Sequence, residues 1–187
     1  VPNDGGINFL LGFAYTRVDR NEDAVPPLER AVEINPKDIN ALSTLASTYD
    51  ALKRYKDSDR AFESALKIDS LNAMVLNNFA YSLAERGEQL ERAYMMSKES
   101  LKKDSSIASF LDTYGWIYFK LGNYAEAERY VKKAIDAGEV SAVVYEHLGD
   151  IYSKLNLYEK AKEYWAKALE RDAKNALLKE KLARGSL

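Results

Sequence analysis

Between Leu111 and Ile135 the apolar positions fall at helical spacing: Leu111, Tyr114, Trp116, Ile117 and Tyr118, then Ala127, Tyr130, Val131 and Ala134. Recurrence at three and four residues gathers such side chains on one face of a helix. Leu121-Gly122-Asn123 interrupts the pattern and predicts a tight turn between two amphipathic helices. Gly115 and the alanines leave room for two backbones to approach closely. A two-helix unit of this kind cannot bury its apolar face alone, so it needs copies of itself on either side.

The copies are present. The large apolar residue at Tyr114 has counterparts at Leu11, Leu45, Phe79 and Leu148, with successive separations of 34, 34, 35 and 34 residues along the chain. The next position is always small: Gly12, Ala46, Ala80, Gly115 and Gly149. Three further on stand Tyr15, Tyr49, Leu83, Tyr118 and Tyr152. In the second helix the small positions are Ala24, Ser58, Ala93, Ala127 and Ala161, then Ala31, Ala65, Ser100, Ala134 and Ala168. The third copy carries an extra residue between Leu83 and Ala93, which predicts a longer loop around Arg86-Gly87-Glu88.

This period and these residue types resemble the tetratricopeptide repeat, a helix-turn-helix unit, over residues 5–175. The resemblance implies an all-α fold: a right-handed α-solenoid of five such units plus a C-terminal capping helix. The units are expected at 5–38, 39–72, 73–107, 108–141 and 142–175, with the cap at 176–187. Residues 1–4 read as the tail of a preceding repeat, because Val1-Pro2-Asn3-Asp4 matches Asn35-Pro36-Lys37-Asp38 one period later. The chain is thus expected to be the carboxyl-terminal piece of a longer array. Pro26 and Pro27 lie at or beyond the first turn of their helix, so that helix is expected to start late or kink. Gly138 fits a helix stop. In the cap, Leu178 and Leu182 share a face, and Lys179, Glu180 and Lys181 make the remainder polar. The amino-terminal end has no such cover. Phe9, Leu10 and Phe13 are expected to be exposed there, which would allow self-association through that end.

Composition narrows the function. The 187 residues are 30% charged and 47% hydrophobic, which suits a stack that buries a continuous ribbon between neighbours. A net charge of -2 argues against nucleic acid as a partner. There is no cysteine, hence no disulfide or thiolate metal site. No apolar run approaches the roughly 18 residues of a membrane span. The single histidine, His147, stands beside Glu146 and three before Asp150, and reads as surface rather than as a metal site. No serine motif lies near it. Gly5-Gly6 reads as a leader and Gly122 as a hairpin turn, so no phosphate loop is present. Trp165 falls at a core position of a second helix. No catalytic residue, metal or cofactor is expected, and the chain reads as non-enzymatic.

In tetratricopeptide families the first helices of successive repeats line the concave surface. Carried over by position, one row is Phe9, Ser43, Asn77, Asp112 and Glu146, and a second is Phe13, Ser47, Tyr81, Trp116 and Asp150. Leu10, Thr44, Asn78, Thr113 and His147 form a third. The resemblance therefore points to a peptide-binding groove with Phe9, Phe13, Asn77, Asn78, Tyr81, Asp112, Trp116, Glu146 and Asp150 as its candidate residues. Amides suit an extended peptide backbone, and Tyr81 and Trp116 could anchor it. The acids would favour a partner carrying Lys or Arg. The two-carboxylate clamp of co-chaperone members is not matched, because Met74, Asn78, Ser109, Thr113, Val143 and His147 stand where its Lys and Arg would be.

The expected function is a protein–protein interaction scaffold or adaptor that holds a partner segment in the groove. The alternatives are a self-assembling scaffold and a regulatory module of a larger enzyme. YSLAERGEQLERAY followed by LDTYGWIYFKLGNYAEA is similar to stretches of bacterial multi-repeat proteins, some of them envelope lipoproteins that assemble other proteins. That similarity leaves the compartment open between the periplasmic face of a bacterial envelope and the cytoplasm.

Overall fold

The computed structural model describes residues 3–187; of the expected leading tail, Val1 and Pro2 lie outside the described residues. Eleven helices and no strand form among the described residues. They are α1 (Gly5–Thr16), α2 (Asn21–Ile34), α3 (Ile39–Ala51), α4 (Tyr55–Ile68), α5 (Ala73–Arg86), α6 (Leu90–Lys103), α7 (Ala108–Lys120), α8 (Tyr124–Asp136), α9 (Ala142–Lys154), α10 (Tyr158–Arg171) and α11 (Ala176–Arg184). This is the all-α, repeated-hairpin architecture expected from the period. Two compact units are present, unit 1 up to Ser82 and unit 2 from Leu83 to Leu187, so the division falls within α5.

Short polar side chains start many of the helices. Asp4 accepts from the Ile7 amide at 2.9 Å, Asp38 from Ala41 at 3.0 Å, Asn72 from Val75 at 3.2 Å, Asn123 from Glu126 at 3.3 Å and Asn175 from Leu178 at 3.1 Å. Each satisfies an amide that the first helical turn leaves unpaired. The turns inside the repeats are equally regular. A left-handed residue recurs at Asp19, Lys53, Gly87, Gly122 and Asn156, in step with the sequence period. The extra residue of the third repeat does sit in its turn. There Glu88 and Gln89 separate Gly87 from α6, and Gln89 takes a second left-handed conformation with φ of 46°. The loop is no longer than its neighbours, because α5 runs one residue further.

Two expectations are corrected here. α2 does not start late; it runs from Asn21 through Pro26 and Pro27, with Pro27 buried and Pro26 exposed. Its start lies one period before that of α4, so packing of Ala24, Val25 and Leu28 holds the helix where local preference would not. Gly5 and Gly6, read as a leader, open α1.

The small positions explain how the two helices of a repeat meet. A methyl group on Gly115 would come within 2.7 Å of Val131 Cγ2 and 3.0 Å of the Val131 backbone nitrogen. On Gly149 it would lie 2.4 Å from Trp165 Cδ1, and on Gly12 2.5 Å from Leu28 Cγ. Each absent Cβ is the space that the second helix fills. In unit 2 Val131, Leu148, Ile151, Trp165 and Leu178 are fully buried in one cluster. Unit 1 packs Ala24, Val25, Leu28, Leu45 and Tyr49 together. Its amino-terminal helix leaves Ile7, Leu10 and Phe13 exposed, Leu10 at 62%.

Candidate functional site

The candidate residues behave differently in the two units. In unit 1 residues mainly of α1, α3 and the first part of α5 border three adjoining open hollows of about 290, 330 and 210 Å³. Phe13, Ser43, Thr44 and Asn78 border two or more of them. Phe9 lines the smallest, and Tyr81 lines the largest together with Ser47, Asp50 and Phe62. Phe9 and Phe13 stack one helical turn apart with ring centroids 6.0 Å apart. Helical register accounts for the gathering: positions four apart on α1 and α3 share a face, and the 34-residue period brings α5 to the same place. Asn77 is the exception. It is buried and lines none of these hollows, its amide lies 3.4 Å from the Asn78 side-chain oxygen, and its own side-chain oxygen is unpartnered among the described residues.

Chemically the hollows are almost neutral. Asp50 is the one charged lining residue, and it already accepts from the Ser82 hydroxyl at 2.6 Å. The rest of the lining is aromatic, aliphatic, hydroxyl or amide. Such a surface can take an apolar side chain while its amides and hydroxyls pair with a backbone.

Unit 2 corrects the expected acidic end. Asp112 is buried, and its two carboxylate oxygens lie 3.0 and 3.1 Å from His147 Nδ1. This hydrogen bond ties α9 to α7. His147, expected at the surface, is only 4% exposed. Glu146 and Asp150 are taken by Lys181 of α11, whose ammonium donates at 2.7 Å to Glu146 and at 2.8 Å to each Asp150 oxygen. Asp150 also accepts from the Trp165 indole N–H at 2.8 Å. Burial pushes the Asp150 carboxyl above its usual range, opposed by Lys181 and the Trp165 hydrogen bond. The acids do not stand free for a basic partner, because Lys181 already holds Glu146 and Asp150 and the His147 ring is hydrogen-bonded to Asp112.

Trp116 is likewise corrected, from exposed anchor to packed residue. Its ring is stacked on Phe119 at 4.5 Å and on His147 at 3.8 Å, and it is 6% exposed. The indole N–H donates to Glu85, and the Lys120 ammonium lies 4.9 Å from the ring centre. Trp116→Ala is accordingly expected to cost about 2 kcal/mol of stability, from lost stacking and burial. Urea denaturation followed by circular dichroism tests this. An unchanged midpoint would restore Trp116 as a surface anchor.

The sequence reading missed Lys181 and His147 as partners of the acids. The signal was present in the spacing. His147 follows Asp112 by 35 residues, and Lys181 follows Glu146 by 35, so a nitrogen-bearing side chain of one repeat position reaches back to an acid of the repeat before. Among the described residues no group of three or more acidic or histidine side chains is arranged to hold a metal, and no helix is long and apolar enough to cross a membrane.

Comparison with known proteins places these features. Models of the tetratricopeptide repeat match residues 39–70, 108–137 and 142–175, together more than half of the chain. The chain is 27% identical over 140 residues to the TPR repeat-containing protein PA4667 of Pseudomonas aeruginosa, covering 73% of this chain and 23% of that protein. It is 30% identical over 128 residues to the type IV pilus assembly protein PilF of the same organism, covering 67% of this chain and 50% of the relative. The chain thus spans half or less of the length of these relatives. Among solved structures, the thermophilic TPR protein TTC0263 of Thermus thermophilus superposes with a TM-score of 0.83 at 24% identity, covering 97% of this chain and 98% of the other.

Proposed function

Because the chain belongs to the tetratricopeptide repeat family, we propose that it is a non-enzymatic scaffold that holds an uncharged, extended segment of a protein partner in the hollows of unit 1. One observation carries the reading: the three adjoining hollows bring Phe9, Phe13, Ser43, Thr44, Asn78 and Tyr81 to one face with a single, already hydrogen-bonded, charge. Phe9, Phe13 and Tyr81 offer contact area to an apolar side chain. Asn78 and the hydroxyls offer donors and acceptors to peptide groups, as extended recognition requires. The preference expected for Lys or Arg does not apply to this face. The pilus-assembly relative supports a role in assembling other proteins.

The paired substitution Phe13→Ser with Asn78→Ala tests the reading. Each residue borders more than one hollow, so their joint loss is expected to weaken partner binding by about 2 kcal/mol, roughly thirtyfold. Helicity should be unchanged, because Phe13 is exposed and Asn78 half-buried. The measurement is recovery of partners from extract of the source cell by the wild-type and substituted chains, quantified by mass spectrometry. Equal recovery by both would move function off this face. The exposed Ile7, Leu10 and Phe13 favour self-association as a second reading. A mass that rises with concentration in sedimentation would favour it over partner capture.

A further inference from the structure

The acidic face of unit 2 already holds a ligand, and that ligand belongs to the chain. α11 lies against α10 and places the Lys181 ammonium among three carboxylate oxygens of α9 at 2.7–2.8 Å. Lys181 is only 8% exposed and occupies the position, one period after His147, that the first helix of a further repeat would supply. The apolar hold of α11 is small. Leu178 is fully buried and Leu182 packs on the core, while Leu177 is 54% exposed. With nine residues, α11 is too short to persist as a helix once detached. Local opening of so short a terminal element costs less than global unfolding.

We propose that α11 is a releasable occupant of unit 2, and that a helical segment of another chain, carrying a leucine and, three residues later, a lysine, exchanges with it at Glu146 and Asp150. The incoming leucine replaces Leu178 and the incoming ammonium replaces Lys181. A cation is required because Asp150 is buried and would otherwise lie uncompensated. The resident helix has the advantage of its short tether, residues 172–175, which gives an effective concentration in the millimolar range. An outside segment gains access when the resident one is weakened. This surface is separate from the unit 1 hollows, and its test does not depend on them.

The probe is a fluorescein-labelled synthetic peptide with the sequence of residues 175–187, titrated against the full chain by fluorescence anisotropy. Wild type is expected to bind only near millimolar concentration. Lys181→Met, which unlatches the resident helix, is expected to bind at least tenfold more tightly. The gain should vanish when the peptide's counterpart of Lys181 is norleucine, or when Glu146→Gln and Asp150→Asn are added. Leu178→Ala weakens α11 while keeping its ion pairs, so it asks the same question should Lys181→Met fail to fold, with the same tenfold gain expected. If neither substitution raises affinity, or if the norleucine peptide binds equally well, α11 is a fixed cap and the proposal is overturned.

Discussion

Replacing Trp165 with alanine is expected to lower the stability of unit 2 by about 3–5 kcal/mol, the range for removing a fully buried large aromatic side chain. Trp165 is completely buried among Val131, Leu148, Ile151 and Leu178. Its ring fills the space where Gly149 has no side chain, so neighbouring backbone cannot readily collapse into the hole. The substitution also deprives the buried Asp150 of the indole donor. That leaves Lys181 to hold the carboxylate and adds to the penalty, since buried carboxylates need their hydrogen bonds. For a chain of this size the loss corresponds to a fall in melting temperature of roughly 10 °C. Thermal and urea unfolding followed by near-ultraviolet circular dichroism measure it. A loss under about 1 kcal/mol would show that the α9–α10 contact is not the core of unit 2.

Gly115→Leu is expected to cost about 3 kcal/mol, at the upper end for overpacking. Here the obstacle is largely backbone. The first added carbon meets the Val131 side chain at 2.7 Å, the Val131 backbone nitrogen at 3.0 Å and the Ala127 carbonyl oxygen at 3.2 Å. A flexible neighbour could swing aside, but α8 can yield only by moving away from α7. Gly115→Ala should show part of the same loss despite the better helix propensity of alanine. An unaltered melting curve for the leucine variant would mean that the small position of the repeat has been assigned to the wrong residue.

The hairpins are legible in the sequence because they are written locally. Apolar spacing, a small residue after Tyr114 and its counterparts, and Asp or Asn before several helices each act within one or two turns. Their recurrence at 34 residues repeats the message five times. The corrected residues share one cause. Trp116, Asp112, His147 and Lys181 each look polar or exposed by the chemistry of their own helix. Their burial depends on side chains about a period away, and on how far those side chains reach. The two prolines of α2 err in the same direction, since tertiary packing outweighs a local preference against helix.

The sequence by itself thus determined the helices, their pairing into repeats and the row on which candidate binding residues lie. The tertiary structure alone decided which of those residues meet solvent. In unit 1 the row is aromatic, hydroxyl and amide, and it borders open hollows. In unit 2 the row is acidic, and burying an unpaired carboxylate is so unfavourable that histidine and lysine from neighbouring helices pair with the acids. Periodicity records that a side chain faces a neighbouring repeat. Whether a partner there neutralises it is set by distances across the packed helices.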